Sequence, residues 1–141
     1  GVKNYFDFIE WDKSNQKNQT VVTPSIPHMY GLQAQIKRIE AEGLKQRIKR
    51  YAELALQTRD WAAQRGQSMF SQEGFHSDTV SCMANDQGWD LSKLSDQLFQ
   101  KGYRFSNGYG KLKGSAFRIP HMGETTEESL SKYLREIDSL T

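Results

Sequence analysis

The chain has 141 residues, 36% hydrophobic and 26% charged, which fits one globular domain with enough apolar material for a core. Its 19 basic and 17 acidic residues leave a net charge of +2, too even to argue for nucleic acid or an anionic membrane as partner. The single cysteine, Cys82, excludes an internal disulfide and suits a reducing, cytoplasmic setting, and no apolar run is long enough to span a bilayer.

The chain starts at Gly1 rather than Met, as a processed or engineered chain would, and nothing there reads as a signal peptide. From Val2 to Trp11 the chain mixes aromatics with charge, in the run NYFDFIEW. Tyr5, Phe6, Phe8, Ile9 and Trp11 would cover both faces of a strand or a helix and want cover on more than one side. Either they form an N-terminal strand docked on this chain's own sheet, or their packing partner lies elsewhere. Residues 12–20, DKSNQKNQT, have little to bury and read as loop. In residues 20–27, TVVTPSIP, the prolines push Thr23 and Ile26 into extended backbone, and Pro27 suits the first turn of a helix. This segment is a linker with a helix cap, or a cradle for phosphate at a helix start.

Helix is predicted over residues 28–65. Leu32, Ile36 and Ile39 fall on one face, Gly43 interrupts, and Leu44, Ile48, Tyr51, Ala55 and Leu56 resume the stripe toward Trp61. The cluster Lys45, Arg47, Lys49 and Arg50 fits a solvated helix surface or a nucleic-acid face. Gly66 is a stop signal. Strands are expected at 68–70 and 79–83, then a turn at 85–88 and a helix capped by Asp90 with Leu91, Leu94 and Leu98 on one face. Further strands are expected at 103–106 and 115–119, the last two as antiparallel neighbours. Thr125 and Glu128 fit a capping box for a final helix with Leu130, Tyr133, Leu134 and Ile137 on one stripe. The fold expected is α+β: a two-layer sandwich whose short, mostly antiparallel sheet of about four strands carries helices on one face.

Few residues here can carry chemistry. His28, His76 and His121 are scattered, with no metal-ligand spacing. Val80 and Met83 beside Cys82 suggest a buried thiol rather than a reactive one. No serine or cysteine sits in a nucleophile elbow. Gly108, Gly110 and Gly114 match no nucleotide loop and lead into a strand, so they read as a tight connection between strands. Arg118 stands out because it interrupts the apolar run Ala116, Phe117, Ile119. It fits an ion pair on a sheet edge or a two-pronged clamp for a carboxylate.

Two stretches carry a resemblance. GKLKGSAFRIPHMG, residues 110–123, followed by a helix, resembles the close of the class V, fold type I, pyridoxal-phosphate aminotransferases, nearest the serine–pyruvate, alanine–glyoxylate and archaeal aspartate group. VVTPSIPHMYGLQAQIKRIEAEGLKQRIKRY, residues 21–51, resembles the segment where that family re-enters its small domain. The resemblance implies that residues 27–141 are a C-terminal small domain and residues 1–26 a connecting arm belonging to an absent large domain. It implies that Arg118 binds the substrate α-carboxylate, and that Thr23 reaches the phosphate of pyridoxal 5'-phosphate across a homodimer interface. It implies an amino acid and a 2-oxo acid as substrates. The Schiff-base lysine and the aspartate on the pyridine nitrogen would lie upstream, so the fragment would be inactive alone and hold no cofactor. Lys101, Lys111 and Lys113 do not sit where that lysine belongs. Some relatives carry a tyrosine three positions before the threonine, where Thr20 stands here. The competing expectation is a stand-alone anion- or RNA-binding module using the basic helix at 45–50 and the glycine-rich loop.

Overall fold

The computed structural model describes residues 4–141, and the chain divides into two compact units, Gly1–Gly43 and Leu44–Thr141. In the first unit a single 3-10 turn, Asn4–Phe6, leads into α1, Phe8–Asn15. The carboxylate of Asp7 caps α1 by accepting from the Glu10 amide at 3.2 Å. The aromatic start is therefore helical rather than a strand, and its portion at residues 1–3 lies outside the described residues. Phe8 is 79% exposed and Tyr5, Phe6 and Ile9 are exposed with it, so the apolar side chains have no cover within the described residues. Helix also runs through Asp12–Asn15, where loop was expected: the Asp7 cap and the Glu10–Lys13 pair at 2.7 Å hold one more turn than composition suggests. The chain turns at Asn18, whose φ is 54°. It then runs irregularly to Ser25, the N-cap of α2, Ile26–Glu42. Helix α2 begins two residues before the expected start and buries none of its side chains.

The second unit holds the core. Helix α3, Leu44–Gln64, starts directly after Gly43, whose φ of 85° breaks the long helical pattern as the sequence predicted. Strand β1 is Val80–Ala84, α4 is Leu91–Gln100, β2 is Ser106–Asn107, β3 is Ala116–Pro120 and α5 is Glu127–Asp138. The sheet order is β1-β3-β2, and both pairings are antiparallel. Met83, Phe117 and Ile119 face the same core as Leu54 and Trp61 of α3, Leu91, Leu94 and Leu98 of α4, and Leu130, Leu134 and Ile137 of α5. This is the expected α+β sandwich with helices on one face of the sheet.

It has three strands rather than about four. At residues 68–70 pairing stops at one bridge, Met69 to Met83. The Asp86 carboxylate takes both the amide and the hydroxyl of Ser68, at 2.7 and 2.6 Å, so only the Ser68 carbonyl and the Phe70 amide are left to bond β1, each at 2.9 Å. Strand β2 is shorter than predicted for a similar reason. The Tyr103 amide closes the end of α4 by donating to the Leu98 carbonyl at 2.9 Å, and the Tyr133 hydroxyl donates to the Arg104 carbonyl at 3.0 Å. Those groups are unavailable to a ladder. The Asp90 cap on α4 is as expected, with bonds from Ser92 and Lys93. The capping box of α5 falls one residue later than predicted, on Thr126 and Ser129 rather than Thr125 and Glu128. Thr125 instead donates its hydroxyl to the Met122 carbonyl at 2.8 Å.

Candidate functional site

Strand alternation decides what β3 presents. Phe117 and Ile119 turn into the core, so Arg118 turns to the opposite face, away from the helices, and is exposed. Its Cα partners are Cys82 on β1 and Ser106 on β2, so one row of side chains crosses all three strands. Arg118 lies on the central strand, not on an edge. Its guanidinium makes one long contact, from Nη2 to the Asn107 carbonyl at 3.4 Å, and no carboxylate of the described residues pairs with it. Of the two readings open for Arg118, the ion pair therefore has no acid to complete it. Cys82 is half-buried, and burial pushes its thiol up from the ordinary range while the Arg118 charge pulls it down.

The glycine-rich stretch is the connection between β2 and β3, and the Asn107 side chain organises it. Its Oδ1 accepts from the amides of Gly108 at 2.7 Å and Gly114 at 2.9 Å. The Gly108 amide also reaches the Ala116 carbonyl at 2.7 Å. A single 3-10 turn, Gly110–Leu112, fills the loop between them. The Asn107 carbonyl that Arg118 touches is thus held by a loop that is itself fastened at both ends. Sequence reading did not single out Asn107, although an Asn-Gly pair before a glycine-rich turn is the available signal.

Thr23 is exposed in the irregular segment before α2, in the first unit, while Arg118 belongs to the second. Beside it the Ser25 hydroxyl meets His28 Nδ1 at 2.5 Å instead of capping the helix amides. His76 Nδ1 meets the Ser71 hydroxyl at 2.8 Å. Among the described residues, no group of three or more His, Cys, Asp or Glu side chains could hold a metal ion, and no helix is long and apolar enough to cross a membrane.

Neither reading of the basic cluster on α3 describes its arginines. Arg47 is only 5% exposed, and with Arg50 and Tyr51 it grips the segment after β3. Arg47 Nη2 pairs with Glu124 at 2.8 Å, and the Gly123 carbonyl accepts from Arg47, Arg50 and Tyr51 at 3.3, 3.1 and 3.3 Å. Arg50 also donates to the Thr125 carbonyl at 2.5 Å, and the Gly123 amide donates to the Tyr51 hydroxyl at 3.0 Å. Lys45 and Lys49 fit the solvated surface, Lys49 in an exposed pair with Glu53 at 3.6 Å. We expect Arg47→Ala to cost about 2 kcal/mol of stability through lost packing and lost bonds, and Lys49→Ala under about 0.5 kcal/mol. Urea unfolding of the two variants checks this ordering, and equal losses would refute the buried role of Arg47.

No protein-family model matches the chain. An uncharacterized aminotransferase of Methanocaldococcus jannaschii is 32% identical over 128 residues, covering 89% of this chain and 33% of that protein. The serine–glyoxylate aminotransferase of Methylorubrum extorquens is 31% identical over 129 residues, again 89% of this chain and 32% of that protein. The crystal structure of ureidoglycine–glyoxylate aminotransferase from Bacillus subtilis superposes with a TM-score of 0.86 at 22% identity, over 99% of this chain and 37% of that one. The chain thus spans about a third of the length of the curated relatives it matches. These relatives give the stand-alone RNA- or anion-binding reading no support.

Proposed function

We propose that this chain, homologous to aminotransferases over 89% of its own length, is the C-terminal part of a class V enzyme and supplies the substrate-carboxylate site of a transaminase acting on an amino acid and a 2-oxo acid. The observation that supports this most is Arg118: an exposed guanidinium on the central strand, with no carboxylate among the described residues paired to it. A planar guanidinium suits a carboxylate, and the bond to Asn107 leaves most of its donors for a ligand. Arg118 orients the amino acid, so that its Cα–H bond is held in one direction while the proton leaves.

Pyridoxal 5'-phosphate, when bound, supplies the electron sink for that proton loss. The 141-residue chain is a poor holder for it. Thr23 offers one exposed hydroxyl to a phosphate, and the Ser25 hydroxyl is engaged by His28. In our reading Thr23 serves the neighbouring subunit of a homodimer, the attachment lysine belongs to sequence upstream, and the chain alone is inactive. Residues 1–26 are then a connecting arm, and the uncovered Tyr5, Phe6, Phe8 and Ile9 pack on that upstream sequence. The lone free cysteine is in keeping with a cytoplasmic setting.

The test has two arms. Mixed with pyridoxal 5'-phosphate, the chain alone should show no Schiff-base absorbance, whereas a longer chain carrying upstream sequence should. In that longer chain Arg118→Ala should lower kcat/KM for the amino acid about 10- to 150-fold, the worth of a charge-assisted bond of about 1.5–3 kcal/mol. A cofactor-loaded enzyme whose kinetics ignore Arg118→Ala would remove Arg118 from the site.

A further inference from the structure

The segment gripped by α3 begins at His121, a residue the proposed function leaves unused. It is fully buried, as is Ser81, whose hydroxyl meets His121 Nε2 at 3.0 Å. The His121 amide donates to the Thr79 carbonyl at 3.0 Å and so ends the pairing of β3 with the β1 side. His121 Nδ1 is buried and has no well-formed hydrogen bond. The charged groups facing the ring are Arg59 from α3 and Asp78 from the segment before β1, themselves 3.6 Å apart, while β1 presents the neutral Ser81. Arg59 Nη1 is also buried without a hydrogen bond. In the segment after the ring, Glu124 is taken by Arg47.

We propose that His121 is a pH-sensitive latch: uncharged, it seals the junction of β3 with the 121–125 segment, and protonated, it releases that segment from β1 and α3. The geometry supplies the reason. A charged imidazole would be dry, with a second cation beside the Arg59 guanidinium, and the Ser81 hydroxyl would have to serve it as an acceptor. Burial holds the ring below the ordinary histidine range; the Asp78 backbone opposes this, Arg59 adds to it, and the Asp78 carboxylate opposes it. The unfolded or released segment therefore takes up the proton first. Stability from the closed latch is complete above the ordinary histidine pKa of about 6.5 and is lost as pH falls from there toward the lower pKa of the closed state. Release is local because the segment has its own fastenings, the bonds of Arg47, Arg50 and Tyr51 to Gly123, outside the main core. The latch does not depend on what Arg118 binds.

Amide hydrogen exchange on the 141-residue chain tests it, corrected for the intrinsic pH dependence of exchange. From about pH 7.5 to 5, protection of the His121 and Gly123 amides should fall at least about tenfold while that of the Leu94 and Leu98 amides on α4 holds. His121→Gln, which keeps a neutral polar side chain, should flatten the response. Arg59→Met should move its midpoint to higher pH and Asp78→Asn to lower pH, shifts that a purely structural histidine would not produce. If His121→Gln does not fold, the wild-type profile with the Arg59 and Asp78 variants decides. Protection that is pH-independent at His121 and Gly123, or that falls equally on α4, overturns the latch.

Discussion

Gly108→Ala should remove about 3–5 kcal/mol of stability, a large fraction of the total for a domain of this size. A methyl group at position 108 would sit 1.9 Å from the Leu112 carbonyl oxygen, 2.5 Å from its carbon and 2.9 Å from the Ala116 carbonyl oxygen. All three are backbone atoms, so no rotamer change makes room. Nor can the loop slide away, because the Gly108 amide is bonded to Ala116 and its neighbour Asn107 ties Gly108 to Gly114. The glycines further along differ in kind. Gly114 has a φ of 83° and open space around it, so Gly114→Ala should cost about 1–2 kcal/mol, from backbone strain alone. Urea denaturation of both variants measures the contrast. If Gly108→Ala proved the milder of the two, the close approach of the loop to residues 112 and 116 would be wrong.

Phe117→Ala should cost about 3–5 kcal/mol, and the adjacent Arg118→Ala under about 0.5 kcal/mol. Phe117 is fully buried, with the rings of Trp89 and Phe105 each 5.6 Å away and Met83 opposite it in the β1 register. Truncation leaves a cavity bounded by large rings that cannot collapse easily onto it. Arg118 projects from the other face of the same strand into solvent. The pair therefore separates fold from proposed function: position 117 should move the unfolding midpoint, and position 118 should move only substrate kinetics. Comparable destabilisation at both positions would mean that the alternation on β3 is misassigned.

The elements were legible where local chemistry is decisive. Gly43 divides the helices because its φ of 85° is poorly suited to a side chain, and Asp90 starts α4 because a carboxylate there meets orphan helix amides. The alternation of Ala116 to Pro120 makes a strand, and a charge inside an apolar strand marks the face away from the core. That is why Arg118 could be picked from residues alone. Expectation failed where a specific side-chain or backbone bond outweighed the local pattern, in some places across many residues and in others within a single turn. The expected strand at 68–70 yields to Asp86, the expected strand at 103–106 loses donors to α4 and α5, and the Glu10–Lys13 pair with its cap extends α1 into polar sequence.

By itself, then, the sequence determined the α+β class, the helix break at Gly43, the Asp90 cap of α4 and, to within a residue, the cap of α5, because each depends on periodicity or on groups a few residues apart. Only the tertiary structure decided that Arg47 is buried beneath the segment after β3, that Asn107 fastens the loop beside Arg118, and that His121 sits dry against Ser81. The Arg47 and His121 contacts bridge 77 and 40 residues of chain. A lysine or arginine in a helix, or a histidine after a proline, looks the same in sequence whether it faces water or protein. Its burial is settled only when the whole core has packed around it.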